Sequence, residues 1–337
     1  MGTIKAIKQV SVGSVRMAIA FAVSLSTAPA SAADWAYKAL SPPATYTSEV
    51  GVRLWYGWGR TSKNLHDDTG AVLVSRLSYG DFAIFTGEGF GRFDFNTGWF
   101  LKGYAGGGAL WDGKLQDEDF QPFIDPYSST LSRINNSSMV YGSIDVGAKI
   151  FRGGDFHVGA FAGYSLIRQV VTAYGCTQTA TNPDVCGSFV LPEQFRVITQ
   201  VNNWNSLRLG LEGVAEFDQR WKLSVDAAWL PYVHLSGSDA HWLRIGNSPG
   251  DFTGPVPEDG NGWGVQLDGF LSYKISDPLS IGVGGRYWRI QSKGHTHFEG
   301  HIVATDAVPQ VLNWKTENYG VFLQATYKIG PYPVFGP

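Results

Sequence analysis

The sequence is poor in charged residues, in cysteine and in long apolar runs. Charged residues make up only 16% of the 337 positions, and the formal net charge is -3. This balance gives no sign of the basic surface that a nucleic-acid partner requires. After the N-terminal segment, no apolar run is long enough to cross a bilayer as a helix. The composition therefore favours neither a nucleic-acid-binding protein nor a helical membrane protein.

Glycine and aromatic residues are abundant instead. The chain contains 42 Gly, 12 Trp, 15 Tyr and 20 Phe. Together with so few charges, this composition is unusual for a soluble secreted protein. It fits a chain of many strands, tight turns and girdles of aromatic side chains.

The N-terminal segment has the pattern of a secretory signal peptide. Three basic residues precede a short apolar run over 17–25, and the triplet Ala-Ser-Ala follows at 30–32. A basic start, an apolar centre and small residues at the end are the features of such a peptide. We therefore expect residues 1–32 to direct Sec export and residues 33–337 to form a single domain.

Cys176 and Cys186 are the only two cysteines. In the oxidising compartment that an exported chain enters, two cysteines ten positions apart most simply close a loop as a disulfide. The alternative is two free thiols. Two cysteines alone cannot form a structural zinc site.

The remainder of the chain alternates apolar and polar residues with period two, as in 263–275 (WGVQLDGFLSYKI). A soluble sandwich also alternates, so the connections decide the fold class. Short turns are predicted at 96–98, 152–155, 218–220 and 276–278, and long polar connections at 61–71, 111–137, 175–195, 238–261 and 296–315. Short turns on one side and long loops on the other are typical of a bacterial outer-membrane barrel.

The segments number about ten, and they predict an all-β, antiparallel, up-and-down transmembrane β-barrel with short periplasmic turns and long extracellular loops. A strand of about 20 residues runs roughly 65 Å, so even when tilted it overshoots an apolar band about 25 Å tall. We expect a monomer that extends well above the outer membrane. Trp204, Phe270 and Trp288 are placed to block the lumen, which makes a diffusion pore the less favoured function. Asn318 to Ala325 resembles the terminal sorting signal of such barrels.

Two stretches, 156–169 (FHVGAFAGYSLIRQ) and 221–242 (WKLSVDAAWLPYVHLSGSDAHW), match a known family best. Together with strand order and loop placement, they resemble the omptin family of outer-membrane proteases and its barrel superfamily. The resemblance implies that Asp239 and His241 are catalytic. Asp239 would orient and charge-balance His241, and His241 would activate a water for attack on a peptide carbonyl.

The family pattern also places a pair of aspartates in the second external loop, across a groove. Asp112 stands at the first of these positions, but Lys114 stands at the second. Asp117, Glu118 and Asp119 follow a few residues later and are candidates for the second acid. Gly237 occupies a place where the family has an Asp that binds a basic P1 residue, so a preference for dibasic sites need not carry over.

The resemblance further implies a requirement for lipopolysaccharide and contacts with outer-membrane lipids, through basic and aromatic residues on the outer wall. Tyr164 and Arg168 stand at matching positions, whereas Asn203 stands where an Arg is expected. No other cofactor is implied. His295, His297 and His301 have a spacing that could bind a divalent metal, but only Glu299 lies nearby, so we interpret them as a polar loop and predict no metal site.

The direction of the Asp239–His241 pair depends on a local irregularity. Strict alternation puts Trp229, Val233 and Leu235 on the outer face, and the pair shares their parity. Pro231 lies within the same strand and cannot donate to the ladder. We therefore predict a bulge or twist between Pro231 and Ser238 that turns the pair toward the lumen.

Two functions remain open. The first is an omptin-like surface endopeptidase that uses Asp239 and His241, with Asp112 facing them and peptides or proteins as substrates. The second is an inactive omptin-like barrel with a structural, adhesive or envelope role, in which 238–241 is only a polar loop. Lys114 favours the second hypothesis.

Overall fold

The computed structural model describes residues 46–120, 125–181, 186, 190–246, 251–296 and 309–330. The predicted signal peptide lies outside these residues. Within the described ranges no helix is long and apolar enough to cross a membrane.

Eleven antiparallel strands make up the sheet. They are β1 (Tyr46–His66), β2 (Leu73–Phe95), β3 (Trp99–Trp111), β4 (Gly113–Asp119), β5 (Ser128–Gly153), β6 (Phe156–Gln178), β7 (Leu191–Phe217), β8 (Trp221–His241), β9 (Val256–Lys274), β10 (Leu279–Thr296) and β11 (Gln310–Ile329). β3 and β4 occupy one position in the ring, because both pair with β2 on one side and β5 on the other. β1 pairs with β11 and closes a barrel of ten positions. The predicted fold and strand number are confirmed.

The predicted short turns are confirmed, but the long connections are shorter than predicted. The connection predicted over 111–137 contains all of β4 and the start of β5, and the one over 61–71 contains the end of β1. In the sequence, segments with polar residues on both faces were interpreted as loops. Above the membrane both faces of a strand are in water, so a strand there can carry polar side chains on both faces. The backbone of such a segment still pairs with its neighbouring strands.

The outer wall carries an apolar belt that ends at a defined height. On β1 the exposed outward side chains run from Val50 to Tyr56 and Trp58, and the next outward residue is Arg60. On β8 the last exposed aromatic residue is Tyr232, and His234 follows on the outer face. Apolar bands bordered by aromatic residues mark the membrane-spanning part of a barrel. The strand ends beyond them stand outside the membrane.

The lower part of the lumen holds a network of ion pairs. Arg286 is buried and contacts Glu88 and Asp268, each at 2.7 Å. Seven charged residues of the lumen all pair with a neighbour: Asp145, Lys149, Arg208, Glu212, Asp226, Asp268 and Arg286. Such pairing is required because an isolated charge in a narrow lumen is costly.

The middle of the lumen is filled by aromatic side chains. Trp288 packs against Trp55, Tyr104 and Tyr141 with ring centroids 5.1 to 6.3 Å apart. A buried apolar core continues from this cluster toward the rim and includes Trp204. The prediction that aromatic residues obstruct the lumen is confirmed, and the polar rim rests on a packed floor.

A bulge in β8 turns its upper half over. Below it Ala228 and Leu230 face inward. The pairing with β9 then slips by one residue between Leu230 and Val233. Val233 and Leu235, which alternation alone placed on the outer wall, are fully buried. That placement was wrong because the bulge inserts one residue, and the predicted bulge itself is confirmed at the start of its range.

The predicted disulfide is also present. Cys176, near the end of β6, is bonded to Cys186 with an S–S distance of 2.09 Å. The bond ties the upper end of β6 to the loop that follows it.

Candidate functional site at the lumen mouth

Asp239 and His241 form a hydrogen-bonded pair inside the mouth of the barrel. Since the bulge has reversed the parity of β8, both side chains face the lumen, and His241 Nε2 lies 3.0 Å from Asp239 Oδ2. Asp239 is only 3% exposed, whereas the His241 side chain is 22% exposed. The acid is therefore enclosed, and the imidazole can be reached from the rim.

Lys63 reaches the same carboxylate from the opposite side of the ring. Its inward position follows from the alternation of β1, in which Trp55 also faces the lumen. The Lys63 ammonium donates to Asp239 Oδ2, and it lies 2.5 Å from Glu258 Oε1 and 3.2 Å from Gln200 Oε1. Gln200 in turn donates to Glu258 at 2.7 Å. One buried cation thus holds two buried carboxylates.

The pKa values of the pair shift in opposite directions. Both groups lie above the apolar belt. Burial alone would raise the pKa of Asp239, but the His241 and Lys63 charges and their hydrogen bonds lower it instead. Burial would lower the pKa of His241, and the adjacent Asp239 carboxylate more than offsets this and raises it. Asp239 therefore stays ionised, and the His241 imidazole is a stronger base than usual.

Two further acids approach His241 from β4. Asp117 and Asp119, at i and i+2, lie on the same face of the strand as the buried Leu115. Burial raises the pKa of Asp117 to about 7, while the charges of His241 and Lys63 oppose that rise. Asp117 is thus close enough to His241 for their charges to interact, and it changes protonation state near neutral pH. Burial also raises the pKa of Asp119.

The structure does not bring Asp112 to this group. Asp112 has a φ of 60°, its side chain is 69% exposed, and its carboxylate lies 3.4 Å from Arg133. Lys114, two positions on, is exposed as well. Of the second-loop acids considered in the sequence, Asp117 and Asp119 lie close enough to His241 for their charges to interact, whereas Asp112 faces Arg133.

A change in which residues face inward, odd-numbered or even-numbered, explains why Asp117 and not Asp112 lies near His241. Asp81, Asp112 and Asn136, on three neighbouring strand positions, all have positive φ, a conformation that Asp and Asn adopt more readily than most residues. Even-numbered residues of β3, such as Leu110, face inward below this row, and odd-numbered residues of β4 face inward above it. The family spacing counted from Asp112 therefore leads to Lys114, which lies on the outward face of β4.

Two buried oxygen atoms at the site make no hydrogen bond within the described part of the chain. They are Asp239 Oδ1 and the hydroxyl oxygen of Tyr79. Burial raises the pKa of Tyr79, and the charges of Asp239 and Glu258 raise it further, so the hydroxyl lies close enough to both carboxylates for their charges to act on it.

Comparison with solved structures shows which known fold the barrel resembles. The outer membrane protease OmpT from Escherichia coli has a TM-score of 0.67 to this chain at 14% identity, and the match covers 84% of this chain and 97% of OmpT. The fold is omptin-like.

Two other outer-membrane barrels match with lower scores. A FadL homologue from Pseudomonas aeruginosa has 13% identity, a TM-score of 0.28 and coverage of 84% of this chain and 90% of its own. The translocator domain of NalP from Neisseria meningitidis has 9% identity, a TM-score of 0.27 and coverage of 82% and 88%. No family model matches the sequence, and no curated protein does. The fold and the apolar belt together give an outer-membrane β-barrel.

Tyr164 and Arg168 lie on the outer wall of β6 in this omptin-like barrel. The Tyr164 hydroxyl donates to Asn205 at 2.9 Å, and Arg168 donates to Asn203 at 2.6 Å. Both side chains are exposed, so their predicted outward direction is confirmed. The prediction that they bind lipid stays a prediction.

The histidine cluster considered as a metal site falls largely outside the described residues, because only His295 of the three histidines is described. In the described ranges, no group of three or more His, Cys, Asp or Glu side chains is arranged to hold a metal ion.

Sequence reasoning missed Lys63, Gln200, Glu258 and Tyr79 as members of the site. The period-two alternation of β1 would have placed Lys63 on the inward face of its strand. Which strands face each other across the lumen depends on ring closure and register, and these appear only in the folded barrel.

Proposed function

We propose that this protein is an outer-membrane endopeptidase that cleaves peptides at its extracellular mouth. One observation carries the proposal: the Asp239–His241 hydrogen bond lies inside the lumen mouth, and Asp117 approaches His241 from another strand. A base fixed by a buried carboxylate, with a second titratable acid nearby, is an arrangement suited to general acid–base hydrolysis.

Each side chain has a separate role in the proposed reaction. The Nε2–H of His241 donates to Asp239, which fixes the tautomer and leaves Nδ1 as the proton acceptor. His241 takes a proton from a water whose oxygen attacks the peptide carbonyl, and it then returns that proton to the leaving amine as the C–N bond breaks. Asp117 lies where it can orient the water, and Tyr79 supplies a hydroxyl donor.

The acids of β4 support the assignment by their spacing. The family resemblance implies a pair of second-loop aspartates two positions apart. Asp117 and Asp119 have that spacing and share the inward face, whereas Lys114 breaks it at the position first considered. A functional pair is thus available five residues further along the strand.

The environment of the site argues against a strong preference for a basic P1 residue. Asp239 and Glu258 are both paired with Lys63, and Gly237 contributes no carboxylate. The other acids of the site, Asp117 and Asp119 of β4, lie beside the proposed water and not at a P1 pocket. We expect cleavage after neutral residues to be at least as fast as cleavage after Lys or Arg.

The test is hydrolysis of a mixed peptide library by the refolded barrel, with and without lipopolysaccharide. His241→Ala is compared with His234→Ala, a histidine of the same strand that faces the outer wall and contacts Asn261. Loss of a general base should slow cleavage by about 10²- to 10⁴-fold, and His234→Ala should leave it unchanged. Equal rates in both variants would refute the role of His241.

A second pair of variants separates the two candidate acids. Asp117→Asn should reduce cleavage strongly, while Asp112→Asn, which alters an exposed carboxylate paired with Arg133, should not. The reverse result would return the second acid to Asp112.

The alternative is an inactive barrel with a structural, adhesive or envelope role. Lys63 favours it, because an ammonium that occupies Asp239 and Glu258 is what a purely structural ion cluster requires. This alternative predicts that the folded wild-type barrel cleaves no peptide with or without lipopolysaccharide.

A further inference from the structure

The chain that follows β8 folds back over His241. The backbone N–H of Arg244 donates to the carbonyl of His241 at 2.9 Å, which makes a tight turn at the end of the strand. The N–H of Phe252 donates to the carbonyl of Arg244 at 2.8 Å, and the N–H of Gly246 donates to the carbonyl of Phe252 at 3.1 Å. These hydrogen bonds fix Phe252 beside the turn. We call Arg244 and Phe252 the return arm.

Phe252 connects the return arm to the proposed base. Its ring meets the His241 imidazole edge to face, with ring centroids 6.1 Å apart and an interplanar angle of 80°. This is a favoured geometry for two aromatic rings. Phe252 is only 2% exposed, so its surroundings hold the ring in place. The ring is therefore a fixed support beside the imidazole.

Arg244 stacks on the same ring. Its guanidinium carbon lies 4.3 Å from the centroid of Phe252, within the range of a cation–π contact. The Arg244 side chain is exposed. Arg76 and Arg133, also at the rim, pair with carboxylates, whereas Arg244 takes part in no salt bridge within the described ranges. A guanidinium stacked by its face keeps its N–H donors at the edge, so Arg244 presents a charge and a fork of donors to a ligand.

Electrostatic interactions show that the Arg244 charge lies at the mouth. Burial raises the pKa of Asp119, and the positive charges of His241 and Arg244 oppose that rise. Asp119 is on the inward face of β4, so Arg244 lies near the lumen side of the rim. Lys63, another cation near His241, is buried and already holds two carboxylates. A bound peptide can therefore reach Arg244 but not Lys63.

The spacing suits a peptide bound across the mouth. Arg244 and His241 contact the same ring, so one aromatic side chain separates them. An extended peptide advances about 3.3 Å per residue, so a side chain two or three residues from the cleaved bond lies about 7 to 10 Å from it. Two groups packed on one ring are separated by a comparable distance. A guanidinium binds a carboxylate through two parallel hydrogen bonds, which gives both strength and direction.

We propose that Arg244 is a specificity residue that binds an Asp or Glu side chain of the peptide substrate, two or three residues from the cleaved bond. Phe252 holds the guanidinium in place and at the same time packs against His241. This role rests on the proposed peptidase function and adds a substrate class to it. The preferred substrates are peptides with an acidic residue close to the site of cleavage.

The test uses two pools of fluorescently labelled nonapeptides with blocked termini. The central residue is Glu in one pool and Gln in the other, and all other positions are random and uncharged. Cleavage of both pools by the refolded full-length barrel is measured, and mass spectrometry of the products locates the cleaved bond. An exposed ion pair of good geometry should make kcat/KM about fivefold higher for the Glu pool. High salt should reduce this preference.

Arg244→Gln should reduce the ratio of kcat/KM for the two pools to about one, and Arg244→Glu should favour a third pool with a central Lys. Arg196→Gln is the matched control and should keep the ratio. Arg196 is also exposed and stacks over Trp242 at 3.6 Å. Trp242 donates to Thr199 at 2.9 Å, on the face of β7 opposite to the lumen-facing Gln200, so this pair lies on the outer side of the barrel.

The other outcomes contradict the role of Arg244. Equal cleavage of both pools by the wild-type barrel would overturn it, as would loss of the preference in Arg196→Gln. Slowing of both pools by the same factor in Arg244→Gln would identify a structural counter-charge for Asp119 instead.

Cleavage of neither pool would contradict the proposed peptidase function and not, by itself, the binding of an acidic side chain. Fluorescence anisotropy of both pools with the barrel then decides. Tighter binding of the Glu pool that is lost in Arg244→Gln supports the role of Arg244, and equal binding of the two pools overturns it.

Discussion

Replacing Lys63 with Met tests whether the lumen mouth depends on one buried cation. The ammonium of Lys63 is shared by Asp239 and Glu258, and both carboxylates are almost fully buried. Methionine has a similar length and no charge. The variant therefore leaves two acids in a low-dielectric environment, and His241 and Gln200 are their remaining partners among the described residues.

The expected loss is large at neutral pH. Removing one partner of a buried ion pair costs about 3–5 kcal/mol, because the remaining charge is left without compensation. The loss should depend on pH in a defined direction. Burial already raises the pKa of Glu258 although Lys63 opposes it, and Lys63→Met raises it further. When the pKa of a carboxyl group is higher in the folded than in the unfolded protein, its contribution to stability is present below the unfolded-state pKa. That contribution is lost as pH rises through the folded-state pKa.

The assay is urea unfolding of the barrel in lipid vesicles, followed by tryptophan fluorescence, at pH 8 and at pH 4.5. At pH 8 the variant should be less stable by about 3–5 kcal/mol, and at pH 4.5 the difference should shrink. Adding Glu258→Gln should restore most of the loss, since it removes the uncompensated acid. Lys114→Met, at an exposed position of β4, should change stability by less than about 0.5 kcal/mol.

A difference below about 1 kcal/mol at pH 8 would contradict the reasoning, since that is the scale of a surface pair. So would a difference that grows on acidification. Either result would mean that the carboxylates find water or other partners when Lys63 is absent.

Three further predictions follow from other parts of the structure. Deleting Tyr232 removes the extra residue of the bulge and turns the upper half of β8 over, so at least two buried apolar side chains should become exposed. The free energy of unfolding measured in urea should then fall by more than about 4 kcal/mol. Asp117→Asn should lower the pKa of His241, because the charge of Asp117 helps to raise it. The imidazole NMR signals should then titrate at lower pH, and an unchanged titration would show that the two side chains do not interact. Replacing Cys176 and Cys186 together with Ser should cost about 2.5 kcal/mol, as expected for opening a loop of this length, and an unchanged melting temperature would contradict it.

The barrel was predictable because its two signals are local. Alternation and short turns depend on neighbouring residues, and they indicate strand number and direction without knowledge of the partners. Strand length was underestimated where polar residues occupy both faces, as at the start of β5, because pairing above the membrane leaves no hydrophobic pattern.

The site was predictable only in part, and for a physical reason. Pro231 marked the bulge that turns Asp239 and His241 inward, so this part of the geometry could be read from one strand. Asp112 was preferred over Asp117 because a positive φ, which reverses parity, is not visible in the residue type alone. Lys63 joins the group only through contact across the lumen, and no pattern within β1 identifies Asp239 as its partner.

The aromatic floor around Trp288 divides the interior into two water compartments. The charged lower lumen is exposed to periplasmic pH and ions, while the mouth is exposed to the medium outside the cell. An open channel of the same diameter would let small solutes leak, and we expect the packed floor to prevent such a leak. A barrel with this floor is therefore expected to leave the permeability barrier of the outer membrane intact.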